Sequence, residues 1–224
     1  MRILVFDTCF NKTYIVLKDN DKFIANERIA STDLNYHSAY LIPALRDILK
    51  KNNFLISDID AIGVNIGPGS FTGIRASVTI ARVLAQQAGL KLVAVPSLEI
   101  LSKFNNNKSD TIVILDARKN KVYFAEYKEN NILTHPYLED KDILLSKINS
   151  TQTIVSDSSI SYFLSKNNIK SINYEENDEN IGLYLCKITE KKLLNCKDEY
   201  NWAEVKPLYI QKPSITKPKV INNV

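Results

Sequence analysis

A chain of 224 residues, 45% hydrophobic and 24% charged, has the composition of an ordinary globular protein with one large or two small domains, able to bury a core without staples. The formal charge is only +4, and the three cysteines, Cys9, Cys186 and Cys196, are odd in number and widely spaced, which argues against a disulfide framework and gives no metal-ligand spacing. No run approaches the roughly 18 apolar residues of a membrane span. The expectation is therefore a cytoplasmic protein with reduced thiols and no membrane contact.

Taken in order, Arg2 to Phe6 reads as a strand ending at Asp7-Thr8, and its short apolar stretch is too brief for a signal peptide. Thr13 to Leu17 and Phe23 to Arg28 follow as strands around an Asp19-Asn20-Asp21 turn, so the sheet is mixed. His37 to about Lys51 is helical, with Pro43 marking either its first turn or a kink. A strand at 61–66 runs into the glycine turn Gly67-Pro-Gly-Ser-Phe-Thr-Gly73. A small-residue helix over 73–88 and a strand over 91–95 come next, and Ser97 caps a helix to Lys103.

The polar stretch Asn105 to Asp110 is the expected boundary. Beyond it, Thr111 to Leu115 ends in Asp116 and is followed by a strand over Val122 to Tyr127, repeating the strand, Asp, turn, strand order of the N-terminus. That repetition points to a weak internal duplication of α/β units. His135, before Pro136, is expected in a surface loop. Short helices over 141–148 and 158–166 flank a strand at Ile154-Val155. Asn177 caps a helix whose buried stripe is Ile181, Tyr184, Leu185 and Ile188, and Trp202 to Ile210 closes the fold as a strand or packed arm.

Several residues carry chemistry on this reading. Asp7, backed by Thr8 at a strand end, is placed either to hold a metal or phosphate or to cap its own turn, and Asp116 has the same two readings, with Arg118 close by. The turn holding Gly67, Gly69 and Ser70 begins a helix whose free N–H groups suit an anion. It is not a Walker loop, since no Lys occurs between Asp60 and Ala88. Ser70 has no Ser-His-Asp assembly around it, and two histidines 98 positions apart, His37 and His135, make no zinc site. Ala76, Ala81, Ala85 and Ala88 let another element approach the 73–88 helix closely, as a protein interface or as ordinary core. Residues 201–224 carry four Lys against one Glu, a basic end that is more simply solvated than bound to nucleic acid.

The motifs Ile3-Leu-Val-Phe-Asp7-Thr8, His37-Ser38-x-x-Leu41-x-Pro43, Gly67-Pro-Gly-Ser-Phe-Thr-Gly-Ile-Arg75, Val95-Pro-Ser-Leu-Glu99 and Asp116-Ala-Arg118 with Val122-Tyr123 occur in the order seen in the TsaB (YeaZ) family. The resemblance covers residues 2 to about 127, and extends to Pro213 in length and general pattern. It implies an α/β fold of two related domains of the actin, sugar kinase and Hsp70 (ASKHA) type with mixed central sheets. These would be an N-terminal domain over 1–104 carrying the dimerisation face, a smaller one over 105–213, and a mobile basic tail over 214–224.

The resemblance also implies a role. This would be a non-catalytic scaffold or activator subunit that pairs with TsaD, which carries the metal and transfers the threonylcarbamoyl group to adenosine 37 of tRNAs reading codons beginning with A. TsaE, an ATPase, would join the assembly, and members of the family can also form homodimers through much the same surface, the isolated chain being either a homodimer or a monomer. No cofactor is required of this subunit, ATP or ADP and a metal being expected in its partners. A family face on the helices beginning near His37 and Gly73 makes His37, Tyr40, Leu41, Ala44, Ile74, Arg75, Val78, Ala81, Arg82 and Ala85 the expected interface residues. Asp7, Thr8, Gly67, Gly69 and Ser70 remain the expected nucleotide or anion contacts. The alternative is an ATP-dependent phosphotransferase or hydrolase using Asp7 in an inter-domain cleft. Gln211 stands where the family's C-terminal arm has Arg.

Overall fold

The computed structural model describes residues 1–30, 36–105, 110–128, 131–149, 151–195 and 200–211. The first unit runs β1 (Arg2–Asp7), β2 (Lys12–Asp19), β3 (Lys22–Ala30), α1 (Tyr36–Lys51), β4 (Ala61–Asn65), α2 (Phe71–Ala88), β5 (Lys91–Val95) and α3 (Ser97–Leu101). The second runs β6 (Thr111–Asp116), β7 (Lys121–Lys128), β8 (Asn131–Asp140), α4 (Leu144–Lys147), β9 (Thr153–Ser156), α5 (Ser158–Lys166) and β10 (Ile172–Asn173), and α6 (Ile181–Asn195) follows it in the chain.

Two five-stranded mixed sheets result, in the orders β3-β2-β1-β4-β5 and β8-β7-β6-β9-β10, read from the hairpin edge. In each, the first strand pairs antiparallel with the second and parallel with the fourth. The two units therefore share one topology, and the repeat at Asp7 and Asp116 marks equivalent points in it.

Period-2 alternation divides each central strand between two cores. Leu4 and Phe6 of β1 face α1 and α2, joining Leu41, Leu45, Ile48, Ile74 and Val78 in the outer core of the first unit. Ile3 and Val5 face the other way, into a core shared by both units, with Val113 and Leu115 of β6, Leu98 and Leu101 of α3, and Ile181, Leu185 and Ile188 of α6. A third cluster, built on Ile112, Ile114, Val122 and Phe124, lies under Ile160 and Leu164 of α5. Burying each such side chain contributes about 1.5–3 kcal/mol, so the shared core fastens the units firmly.

The structure differs from the sequence expectations in several places, among them Ser97, whose hydroxyl donates to Asn65 Oδ1 instead of capping α3, and Asn177, which lies within the turn before α6 instead of at its N-cap. Helix α2 begins at Phe71, because Ser70 is its N-cap, the Gly73 amide donating to Ser70 Oγ at 3.2 Å. Pro43 sits in the interior of α1, which excludes the first-turn reading and leaves the other. His135 lies in β8, an edge strand that accommodates Pro136 because Pro there costs no ladder bond toward a neighbour. Helix α6 and the arm at 200–211 were expected in the second domain. Instead α6 packs on β1, β2, β4 and β5, and Trp202 and Val205 join the first unit's outer core. The side chain of His37, the tail at 214–224 and Cys196 lie outside the described residues.

Candidate functional site

The β1–β2 turn, the end of β4 and the glycine turn meet at one point. Cys9 N donates to Asp7 Oδ1 at 2.7 Å, and Gly67 N and Ser97 Oγ both donate to Asn65 Oδ1 at 2.9 Å. Burial raises the Asp7 carboxyl to about 6, against the opposing effects of the Cys9 amide and thiol, the Asn65 side chain and the Thr8 amide. The Asn65 amide is close enough to favour the carboxylate, yet neither Asp7 Oδ2 nor Asn65 Nδ2 closes a hydrogen bond. Asp7 and Thr8 have no exposed surface at all. Burial also pushes the Cys9 thiol up, with the neighbouring Asp7 charge adding to it.

The glycines that looked like a ligand cradle are occupied by the protein's own backbone. A Cβ on Gly69 would lie 2.5 Å from the Cys9 carbonyl oxygen, and one on Gly73 would lie 1.7 Å from that of Thr8. Ser70 N donates to Cys9 O at 2.8 Å, and Thr8 Oγ1 donates to Gly73 O at 2.6 Å. The start of α2 is thus laid directly on the β1–β2 turn, and the amides of Ser70 and Gly73, which an anion would use, are spent within the chain. The Gly67 amide, on Asn65 Oδ1, is likewise engaged within the chain. Gly67, at φ +97°, makes the turn itself, a conformation that side chains other than glycine rarely adopt.

Asp7 likewise faces no opening. Phe10 of the same turn stacks against Tyr174 at 5.4 Å, and Tyr174 meets Phe104 at 6.2 Å, filling the junction between the units with aromatic rings. A phosphotransferase using Asp7 needs that carboxylate to reach substrate, and here it lies behind packed side chains.

The expected interface residues divide by orientation. Leu41, Ile74, Val78, Ala81 and Ala85 face the sheet and are buried in the outer core, where the small size of Ala81 and Ala85 serves helix-on-sheet packing. Tyr40 is 45% exposed, Arg75 is exposed, and Ala44 and Arg82 are half-buried. Tyr40 and Ala44 also line a cleft between β3 and α1 with Glu27, Asp47 and Lys51.

The outward side of α2 carries Phe71, Thr72, Arg75, Thr79, Val83 and Gln86, with Phe71 47% and Val83 50% exposed. Arg75 and Arg82 are the only charged residues of this helix, and each is held by an aromatic ring of the C-terminal arm. Arg75 lies 3.9 Å above the Phe71 ring and donates from Nε to Tyr209 Oη at 2.8 Å, while Arg82 faces Trp202 and donates to Ala203 O. Leu208 N donates to Ile66 O at 2.8 Å, fixing the arm along α2. The pairing of Arg75 with Tyr209 was not legible in the sequence, since 134 positions separate them and no local pattern links them.

Comparison with known proteins adds to this geometry. Residues 29–143 match the family model described as "TsaD: tRNA N6-adenosine threonylcarbamoyltransferase". The tRNA threonylcarbamoyladenosine biosynthesis protein TsaB of Bacillus subtilis is 35% identical over 148 residues, covering 65% of this chain and 63% of that protein. Its namesake in Escherichia coli is 32% identical over 137 residues, covering 59% and 58%. The chain therefore matches somewhat under two thirds of the length of these relatives. Among solved structures, YeaZ from Pseudomonas aeruginosa superposes with a TM-score of 0.74 at 16% identity, covering 93% of this chain and 99% of that one, which is a likeness of fold.

Proposed function

We propose that this chain, which belongs to the TsaD-type family and within it to the TsaB (YeaZ) group, serves threonylcarbamoyladenosine biosynthesis as an accessory subunit. It pairs with a TsaD subunit for N6-threonylcarbamoylation of adenosine 37 in tRNAs reading codons beginning with A, scaffolding or activating that partner. Nucleotide and metal belong to the partner subunits, TsaD and the ATPase TsaE. The chain alone forms a homodimer through the same surface.

The observation that carries this reading is the outward face of α2. A solvated helix of 18 residues ordinarily mixes both signs of charge on its outer side, whereas this one has no acidic residue and only two arginines, both engaged with aromatic rings. Depletion of charge with enrichment in aromatic residues and arginine is the composition of an interface core. Asp7, by contrast, offers no accessible chemical group.

The test is the mass, by light scattering on a sizing column, of this protein mixed with TsaD of the same genome. A heterodimer replaces both free species. Val83→Glu, on the outward face, weakens it about tenfold or more, as expected for an anchor position, while Ile132→Glu, on β8 of the second unit, leaves it intact. Equal pairing by Val83→Glu and the parent chain would overturn the placement. Absence of any complex at micromolar concentration would overturn the partner role. Charges at Ala81 and Ala85 report on folding instead, because both face the sheet.

A further inference from the structure

We propose that the end of the molecule opposite Asp7 and Asp116 is a docking surface for the phosphodiester backbone of tRNA, built from Lys91, Lys103, Lys191 and Lys192. Strands β1, β4 and β5 run parallel, so Lys91, the first residue of β5, lies at the far end of the sheet from Asp7. Alternation puts Lys91 on the same face as Val93 and Val95, which pack into the shared core with Leu185 and Ile188 of α6. Tyr200 joins that strand end to the last turns of α6. Its carbonyl accepts from Leu92 N at 3.4 Å, and its hydroxyl donates to Lys192 O at 2.5 Å.

Lys103 comes from a third element, the short 3₁₀ turn Ser102–Phe104 that continues α3 and precedes β6. It stands four residues after Glu99, on the same helical side. Glu99 Oε2 accepts from Lys192 Nζ at 2.8 Å, and Lys192 also reaches Ala94 O at 3.4 Å. Asp110, at the start of the second sheet, pairs instead with Lys128 at 3.8 Å. Lys91 and Lys191 are exposed, and Lys103 and Lys192 are half-buried.

A solvated surface intersperses charges of both signs, whereas here three elements distant in sequence bring lysines together. Burial pushes the Lys103 ammonium below the ordinary lysine value, and Lys191 and Lys192 add to this against the opposing charge of Glu99. Lys192 in the last turn of α6 suits that helix's dipole, which accounts for neither Lys91 nor Lys103. Gathering like charges costs the folded state energy, and a polyanion offsets that cost at several points at once. The choice of tRNA among polyanions rests on the function proposed above; the convergence of the lysines does not.

The test is the affinity of the full chain, without TsaD, for fluorescently labelled bulk tRNA, read by anisotropy between about 50 and 200 mM salt. Log affinity is expected to fall against log salt with a slope of about −2 to −4, from three or four lysine–phosphate contacts. Lys103→Gln with Lys191→Gln makes that slope shallower by about 2. Arg118→Gln with Lys119→Gln, the same loss of charge in the exposed turn at the other end of β6, leaves it unchanged. No measurable binding by the parent at about 50 mM salt would overturn the proposal. So would an equal change in both double variants, or a Lys103 and Lys191 variant that keeps the parent's slope. If that variant keeps tRNA affinity and loses pairing with TsaD, the patch is a protein interface and the proposal falls. The anisotropy measurement omits TsaD, so loss of tRNA binding overturns this surface alone, whereas absence of a TsaD complex overturns the accessory role alone.

Discussion

The turns after β1 and β6 occupy the same place in two copies of one topology, yet they differ in almost every local property. The first is buried, with Asp7 at zero exposure. The second stands in solvent, and Arg118, Lys119 and Asn120 adopt left-handed conformations at φ 62°, 50° and 58°. The cause lies in the helix that follows the fourth strand of each unit. In the first, Gly69 and Gly73 bring the backbone of α2 onto that of Thr8 and Cys9. In the second, α5 reaches its turn through a side chain, Asp157, whose Oδ1 caps Ile160 N and whose Oδ2 accepts from Asp116 N at 2.6 Å. A carboxylate spacer leaves the turn free, whereas glycine against backbone seals it.

The sharpest way to break this contrast is Gly73→Ala. A methyl group 1.7 Å from a carbonyl oxygen cannot be relieved by a rotamer change, so α2 must lift from the turn. The expected loss is about 3 kcal/mol or more, read as a lower urea midpoint. Stability equal to that of the parent would mean that the two backbones are not in contact.

A second experiment uses the charge trapped by that seal. The folded-state pKa of Asp7, about 6, exceeds its unfolded value of 3.8. The native state therefore binds the proton more tightly, and the resulting stability is fully present below about pH 4 and lost as pH rises through 6. A shift of this size corresponds to about 3 kcal/mol. Asp7→Asn, whose amide oxygen still accepts from Cys9, removes this contribution and flattens the stability profile between pH 4 and 7. A profile parallel to the parent's would show that Asp7 is not the group responsible.

The smallest effect belongs to the open turn. Lys119→Gly relieves a left-handed residue whose cost is about 1–2 kcal/mol for an L-amino acid, partly offset by the greater unfolded-state freedom of glycine. A net gain of about 1 kcal/mol in denaturant unfolding is expected. A loss would mean that the Lys119 side chain contributes more than its backbone costs.

The sequence made the strands legible where hydrophobic runs end in Asp, as at Asp7 and Asp116, and it made the duplication visible from the same recurrence. It did not reveal which side of α2 is inward. Ala81 and Ala85 allow close approach of any neighbour, and only the sheet's position decides that the neighbour is β4 rather than another protein. Strand β8 was hidden because Pro136 and the irregular order Ile132-Leu-Thr-His-Pro-Tyr137 break the alternation that marks a strand. The place of α6 was equally hidden, since a buried stripe of Ile181, Leu185 and Ile188 says that the helix is covered without saying by which sheet. At the candidate site, the glycines at 69 and 73 signalled close approach correctly. Only the structure identifies what approaches as the Thr8 and Cys9 backbone.

Helix α6 covers strands made at the opposite end of the chain, which sets an order on biosynthesis. A ribosome releases Ile3, Val5, Val93 and Val95 well before Ile181, Leu185 and Ile188, their partners in the shared core. About 85 residues separate Val95 from Ile181, roughly 4–17 s of elongation at about 5–20 residues per second. For that interval the inner face of the first sheet waits without its cover, a surface for chaperones to shield, until α6 emerges and closes the shared core.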